Sequence, residues 1–217
     1  MILSELSLEE GTLLIHYARL AVDRYLSRGV YIMIPQGLPS KLYEKRGVFV
    51  SIEKIVSERG GVKRRVLRGR RGIVDPILPL IEATIRSAIE VAVRDYRYPP
   101  LNVGELNNVV FEVTVLSKPE LLDVRDVQKC LSELRLGLDG VVLEVGGRYR
   151  SVVLPQTAVE EDWDKSEILQ QVCLRAGLPM NAWMNSNVKI YKFKTQIFYE
   201  LHPNGEVIER ALYIGRE

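Results

Sequence analysis

The sequence predicts an α+β fold: two hairpin-helix-strand repeats forming a largely antiparallel sheet or closed barrel, flanked by helices. Three observations predict it. Paired β-branched segments are separated by glycine turn signals, as in "GVFVSIEKI", "ERGG", "VKRRVL" and again in "DGVVLEV", "GG", "RYRSVVL". Segments with apolar residues at helical spacing stand between them. The order of elements then recurs, which suggests an internal duplication. For 217 residues a single domain is expected, with two lobes of about 1–117 and 118–217 as the alternative.

Each element has a local reason. In "SLEEGTLLIHYARLAVDRYLSRG", Ser7 and Glu10 have capping-box spacing. Leu14, Tyr17, Ala21 and Tyr25 give that helix an apolar face, and Gly29 is placed to end it. Tyr31 to Arg46 carries Pro35, Gly37 and Pro39 and forms a connection. "LPLIEATIRSAIEVAVRDY" is a helix burying Leu78, Ile81, Ile85, Ala88 and Ala92, ended by "RYPPL". "NVVFEVTVL" is a strand buried on both faces. "SKPELLDVRDVQKCLSEL" holds a turn and a short helix. In "DKSEILQQVCLRAG", Asp164 caps a helix, Gly177 suits its left-handed end, and Pro179 blocks continuation. "NVKIYKFKTQIFYEL" is a long strand, with "PNGE" turning the chain back on it.

Composition narrows the function classes. The chain is 47% hydrophobic and 27% charged, so a core forms without metal or disulfide. Net charge is only +2, so polyanion binding needs a local patch. Cys130 and Cys173 lie in apolar helical patterns without ligand spacing; they are expected as buried thiols, with a disulfide between them left open. His16 and His202 do not make a metal site. No segment has the length of a membrane span and no basic leader precedes an apolar run, so a cytoplasmic protein with no membrane contact is expected. No coenzyme motif appears, so no cofactor is expected, and no nucleophile–histidine or paired-carboxylate arrangement stands out.

The candidate site begins at "VLRGRRG", with three arginines and two glycines between an expected strand and an expected helix. Six of the nine residues from Lys63 to Arg71 are cationic. Gly69 and Gly72 would allow positive φ in such a loop, whose amides can form an anion nest. Arg68 can fork onto a carboxylate or phosphate. The competing reading pairs Arg68 internally, near Asp95 or Glu160, and leaves Arg70 and Arg71 solvated. Arg97 is either a second cationic arm or a clamp on the helix's terminal carbonyls. Gln156 can orient a ligand or tie down its own loop. Glu160 can serve as a general base if buried, or simply begin a helix. Trp163 and Trp183 could stack on a base or ring, but both flank the same helix and are expected first in core packing.

Taken in order, "GVFVSI", "LRGRRG", "RDYRYPPL", "EVTVLSKPE", "GLDGVVLEVGGRYRSVVLPQTAVEEDW", "CLRAGLPMNAW" and "KIYKFKTQIFYE" resemble the AMMECR1 family, over about Gly47 to Glu200. The resemblance implies an α+β domain without an established biochemical activity, found in some prokaryotes fused to or encoded beside Memo-like and radical-SAM proteins. Arg70 and Arg71 stand where the family signature has cysteine and isoleucine, and Tyr96 and Tyr98 where it has proline and phenylalanine. Any mechanism that needs that cysteine is in doubt in this chain. The function expected first is a binding or regulatory module whose basic cleft takes a phosphate-bearing partner, such as nucleic acid. The alternatives are an enzyme on a small anionic substrate and a protein-interaction scaffold for the Memo-like and radical-SAM neighbours.

Overall fold

The computed structural model describes residues 5–57 and 63–212. In chain order its elements are α1 (Leu8–Arg28), β1 (Val48–Ser57), β2 (Lys63–Ile73), α2 (Leu80–Val93), β3 (Val109–Leu116), β4 (Glu120–Leu121), α3 (Val127–Glu133), β5 (Asp139–Val145), β6 (Arg148–Val153), α4 (Pro155–Glu160), α5 (Lys165–Arg175), β7 (Val188–Glu200) and β8 (Val207–Glu209). The turn expected at "ERGG" lies outside the described residues. The chain forms two compact units: Met1–Val115 with Gln196–Arg210, and Leu116–Thr195 with Ala211–Glu217. A single boundary near residue 117 therefore misses the return of the chain at Gln196.

In the first unit β1 is central, pairing antiparallel with β2 on one side and β3 on the other. The end of β7 lies next to β3 and carries β8. Alternation along the strands separates two faces. Val48, Val50 and Ile52 of β1, with Phe111 and Val113 of β3, join Leu14 and Ala18 of α1 and Ile81, Ile85 and Ala88 of α2 in one apolar core. The residues between them, Ser51, Glu53, Glu112 and Thr114, are polar and also buried. β3 is thus buried on both faces as expected, but its second face is mixed, with Glu112 and Thr114 between Val110 and Leu116.

Both caps of α1 form as the sequence predicts. Ser7 and Glu10 make the reciprocal capping box, and Gly29 ends the helix at φ 68°. α1 is tied to the sheet by an ion pair inside this unit. Arg19 donates to both carboxylate oxygens of Glu200, from Nε at 2.7 Å and Nη2 at 2.5 Å, and to the carbonyls of Leu106 and Val109. The backbone N–H of Phe111 donates to the same carboxylate. Glu200 is thereby fully satisfied where water does not reach it.

In the second unit β5 pairs antiparallel with β6 and with the first part of β7, and β4 adds to β7. Gly146 and Gly147 turn the β5–β6 hairpin with positive φ. Leu143, Val153, Ile168, Val172, Trp183 and Ile190 are among its core residues. Cys130 and Cys173 lie in this core as free, buried thiols, and burial pushes both up. The disulfide that the sequence left open is absent. Trp163 packs at the edge of this core with the Arg175 guanidinium 5.3 Å from its ring centre.

Among the described residues the strands of neither unit close on themselves. The pairing path ends at β2 in the first and at β6 in the second, so the closed-barrel alternative is set aside. What recurs is the pairing pattern. Each unit has a hairpin whose first strand also pairs with the strand after the helical segment, and the hairpin register slips at Ile52/Glu53 and at Leu143/Glu144. The helical segment between hairpin and third strand differs, α2 in the first unit and α4 with α5 in the second, so the expected duplication is not established.

Arg19→Ala would leave the Glu200 carboxylate buried without its cation. The expected loss is about 3–5 kcal/mol, measured as a lowered midpoint in chemical or thermal unfolding. Unchanged stability would contradict the structural role given to this pair.

Candidate functional site at β2 and the end of α2

The "LRGRRG" stretch is not a loop. Register pairs run through it, from Gly69 with Ile52 to Ile73 with Val48, so all of it belongs to β2. Gly69 and Gly72 are absent from the positive-φ residues, so the expected anion nest does not form. Gly69 serves close packing instead. A Cβ there would meet the Val91 side chain at 2.8 Å and its carbonyl at 3.1 Å, so only glycine lets α2 settle this close to β2. Gly72 faces Phe49 and the Val48 backbone in the same strand pair.

Asp95 joins the two elements. Its carboxylate accepts from the Arg70 N–H at 2.9 Å and from Arg97 Nε at 2.9 Å and Nη2 at 2.6 Å. Burial by itself would raise this carboxyl. Hydrogen bonds from the Arg97 side chain and the Arg70 and Arg97 backbone outweigh it and hold the group below the ordinary aspartate range.

The arginines divide into inward and outward sets. Arg68 stands at the register slip. It donates to the Pro99 carbonyl at 2.8 Å and pairs with Glu105 at 3.4 Å, leaving its side chain 11% exposed. Its partner is therefore neither Asp95 nor Glu160. Arg70 points to the polar face, where Nε donates to Ser51 Oγ at 2.8 Å and Nη2 lies 3.8 Å from Glu112. It is 9% exposed, which corrects the reading of a solvated side chain. Arg65 donates to the Glu200 and Leu201 carbonyls and lies over the Tyr199 ring.

Arg71, Arg94 and Arg97 form the outward set. Arg71 donates to the Arg94 carbonyl at 3.1 Å, so it and not Arg97 clamps the helix end. Its guanidinium carbon is 5.9 Å from the centre of the Tyr96 ring. Arg97, besides holding Asp95, donates to the Arg70 carbonyl, and its side chain remains 42% exposed. Tyr98 is flanked by Arg97 at 5.5 Å and Arg68 at 5.9 Å. Arg94 pairs with Glu90 at 2.6 Å on the exposed helix surface. Glu90 first, and Tyr31 and Tyr25 less, hold Arg94 more firmly protonated than usual.

Gln156 and Glu160 belong to the second unit. Both sit in α4, Gln156 fully buried in its first turn and Glu160 exposed as its last residue. Glu160 lacks the burial that a general base would need, and it ends a helix where the sequence suggested a beginning.

Sequence reasoning missed Tyr96, Arg94 and Tyr31 on the surface, and Glu53 and Glu112 inside. The first two were legible as cation–aromatic alternation in "RDYRY". The carboxylates were legible as charges set within two apolar strands. Glu112 accepts from Ser51 and from Arg210 Nη1 at 2.8 Å. Glu53 lies 3.8 Å from Arg65. Burial first, then the Glu112 charge, push the Glu53 carboxyl up, against smaller opposing effects of Arg65, Arg210 and Arg70. Among the described residues no His, Cys, Asp and Glu cluster could hold a metal ion, and no helix is long and apolar enough to cross a membrane.

The AMMECR1 family pattern matches residues 15–198. A protein of Thermofilum pendens is 46% identical over 98% of this chain and 100% of its own length. Protein MJ0810 of Methanocaldococcus jannaschii is 42% identical over 95% of this chain and 98% of its own. The crystal structure of the uncharacterized protein PH0010 from Pyrococcus horikoshii is similar with a TM-score of 0.85 and 39% identity. That match covers 94% of this chain and 98% of that one.

The raised Glu53 carboxyl gives a signed pH dependence. The folded protein keeps this proton to higher pH than the unfolded chain, whose ordinary value is 4.5. Stability contributed by the protonated group is complete below that value and is lost as pH rises through the folded one. Glu53→Gln has no proton to lose. Its melting temperature relative to the parent is therefore expected to be higher at pH 8 than at pH 4. A difference of the opposite sign would contradict the assignment.

Proposed function

We propose that this chain, which belongs to the AMMECR1 family, is a binding module for a phosphate-bearing partner held by Arg71, Arg94 and Arg97 at the end of α2. One observation carries this reading: cationic heads from two segments, β2 and the turn after α2, stand together on one exposed surface. Asp95, the acid among them, is buried and already bound by four donor contacts. It fixes the arginines without offering a free carboxylate to repel an anion. Arg68, Arg70 and Gly69 support the surface from within rather than touching the partner.

A second reading, an enzyme acting on a small anionic substrate, rests on a different observation. Glu53 and Glu112 are buried in one polar array with Arg65, Arg70 and Arg210, and Glu53 is pushed toward its neutral form. A carboxyl raised in this way beside fixed guanidinium groups suits acid–base work on an anion. A thermal-shift screen of small phosphates and carboxylates separates the two. It favours the enzyme reading where stabilisation is lost in Glu53→Gln and kept in Arg71→Ala.

The binding reading is tested by titrating a labelled oligonucleotide across salt. Three phosphate contacts on a single strand give a log–log slope of about −2. Replacing Arg71 and Arg94 together by alanine is expected to leave the fold intact and make the slope shallower by about 1.4. Binding that does not weaken with salt, or a slope unchanged in this variant, would contradict the proposal.

A further inference from the structure

The surface at the end of α2 carries aromatic rings as well as charge. Tyr96 is 86% exposed and Tyr31 is 56% exposed. Large aromatic rings left this open lose the contacts that would stabilise them in a core, and they do not arise from packing demand. The neighbours of Tyr96, Asp95 and Arg97, are locked to each other and to β2, so the ring between them stands on a fixed stem.

The rings alternate with cations. Arg94 stands at the end of α2, two residues before Tyr96. Arg71 bonds the Arg94 carbonyl and lies beside Tyr96. Arg97 follows beside Tyr98. Besides buried Asp95, Glu90 is an exposed acid on this surface, and it is paired with Arg94. Flat π-faces between guanidinium groups match a polymer that alternates flat bases with phosphates. A duplex offers its phosphates but keeps its base faces stacked, so it can use the arginines and not the rings.

We infer that this surface binds single-stranded nucleic acid, with a base stacked on Tyr96 and the flanking phosphates on Arg71 and Arg97. The inference rests on the phosphate-binding reading above and adds the strand state and the stacking ring.

The test is fluorescence anisotropy at fixed salt with a labelled uridine-rich 12-mer RNA, the same length of single-stranded DNA, a duplex and heparin. It is run on the parent protein and on Tyr96→Ala, Tyr96→Phe and Tyr96→Trp. Tyr96→Ala is expected to weaken single-strand binding by about 5- to 150-fold, with heparin binding and the salt slope unchanged. Tyr96→Phe and Tyr96→Trp are expected to keep most of the affinity, because stacking needs the ring and not the hydroxyl. RNA and DNA binding alike would show base and phosphate recognition, and preference for RNA would add a contact to the 2′-hydroxyl; both outcomes support the inference. If salt-sensitive binding is present but duplex binds as well as single strands, or Tyr96→Ala changes nothing, the stacking inference is overturned while the phosphate reading stands. If none of the four probes binds in a salt-sensitive way, both fall.

Discussion

The Asp95 carboxylate is the constraint on which the proposed surface depends. It is buried, and it is bound by the Arg70 backbone and by the backbone and side chain of Arg97. These contacts join β2 to the turn after α2, two segments distant in sequence. Gly69 makes the approach possible by presenting no Cβ to Val91. Once the carboxylate is fixed, the positions of Arg97, Arg71 and the intervening Tyr96 follow from short, rigid backbone. Proline at 99 and 100 restricts the chain just beyond.

The arginines of one short run have opposite fates for the same physical reason. Strand alternation and the slip at Arg68 send neighbouring side chains in different directions. Arg68 and Arg70 lose water and meet carboxylates, Glu105 and Glu112. Removing a partner from such pairs is costly, although the pairs themselves contribute little net stability. Among the outward guanidinium groups Arg97 holds buried Asp95, whereas the exposed Arg94–Glu90 pair is screened and worth little to folding. The placing of Arg94 and Arg71 near exposed Tyr96 therefore needs an explanation other than stability. Arg70 in particular, at the position where the family signature has cysteine, is absorbed by Ser51 and Glu112 within the sheet.

The helices, hairpins and long strand were legible because each carries a local mark: the Ser7–Glu10 and Asp164–Glu167 capping boxes, the Gly146–Gly147 turn, the alternation in β1. "LRGRRG" was misread because its glycines look like turn chemistry. They are there to clear space for Val91 and Phe49, and that demand comes from partners far along the chain. Which carboxylate neutralises which arginine was hidden for the same reason. Glu105 reaches Arg68, and Arg210 reaches Glu112 across 98 positions, only once the sheet has assembled. The exposed ring of Tyr96 was in plain view as part of "RDYRY", but its value as a stacking face depends on Arg71, which the fold supplies from β2.

Ultraviolet cross-linking of a uridine-rich single-stranded RNA to the protein, followed by mass mapping of the attached peptides, addresses the location directly. The adduct is expected on the peptide containing Tyr96, with a lesser one on that containing Tyr31. Cross-links confined to other peptides would place the contact elsewhere and contradict the assignment of this surface.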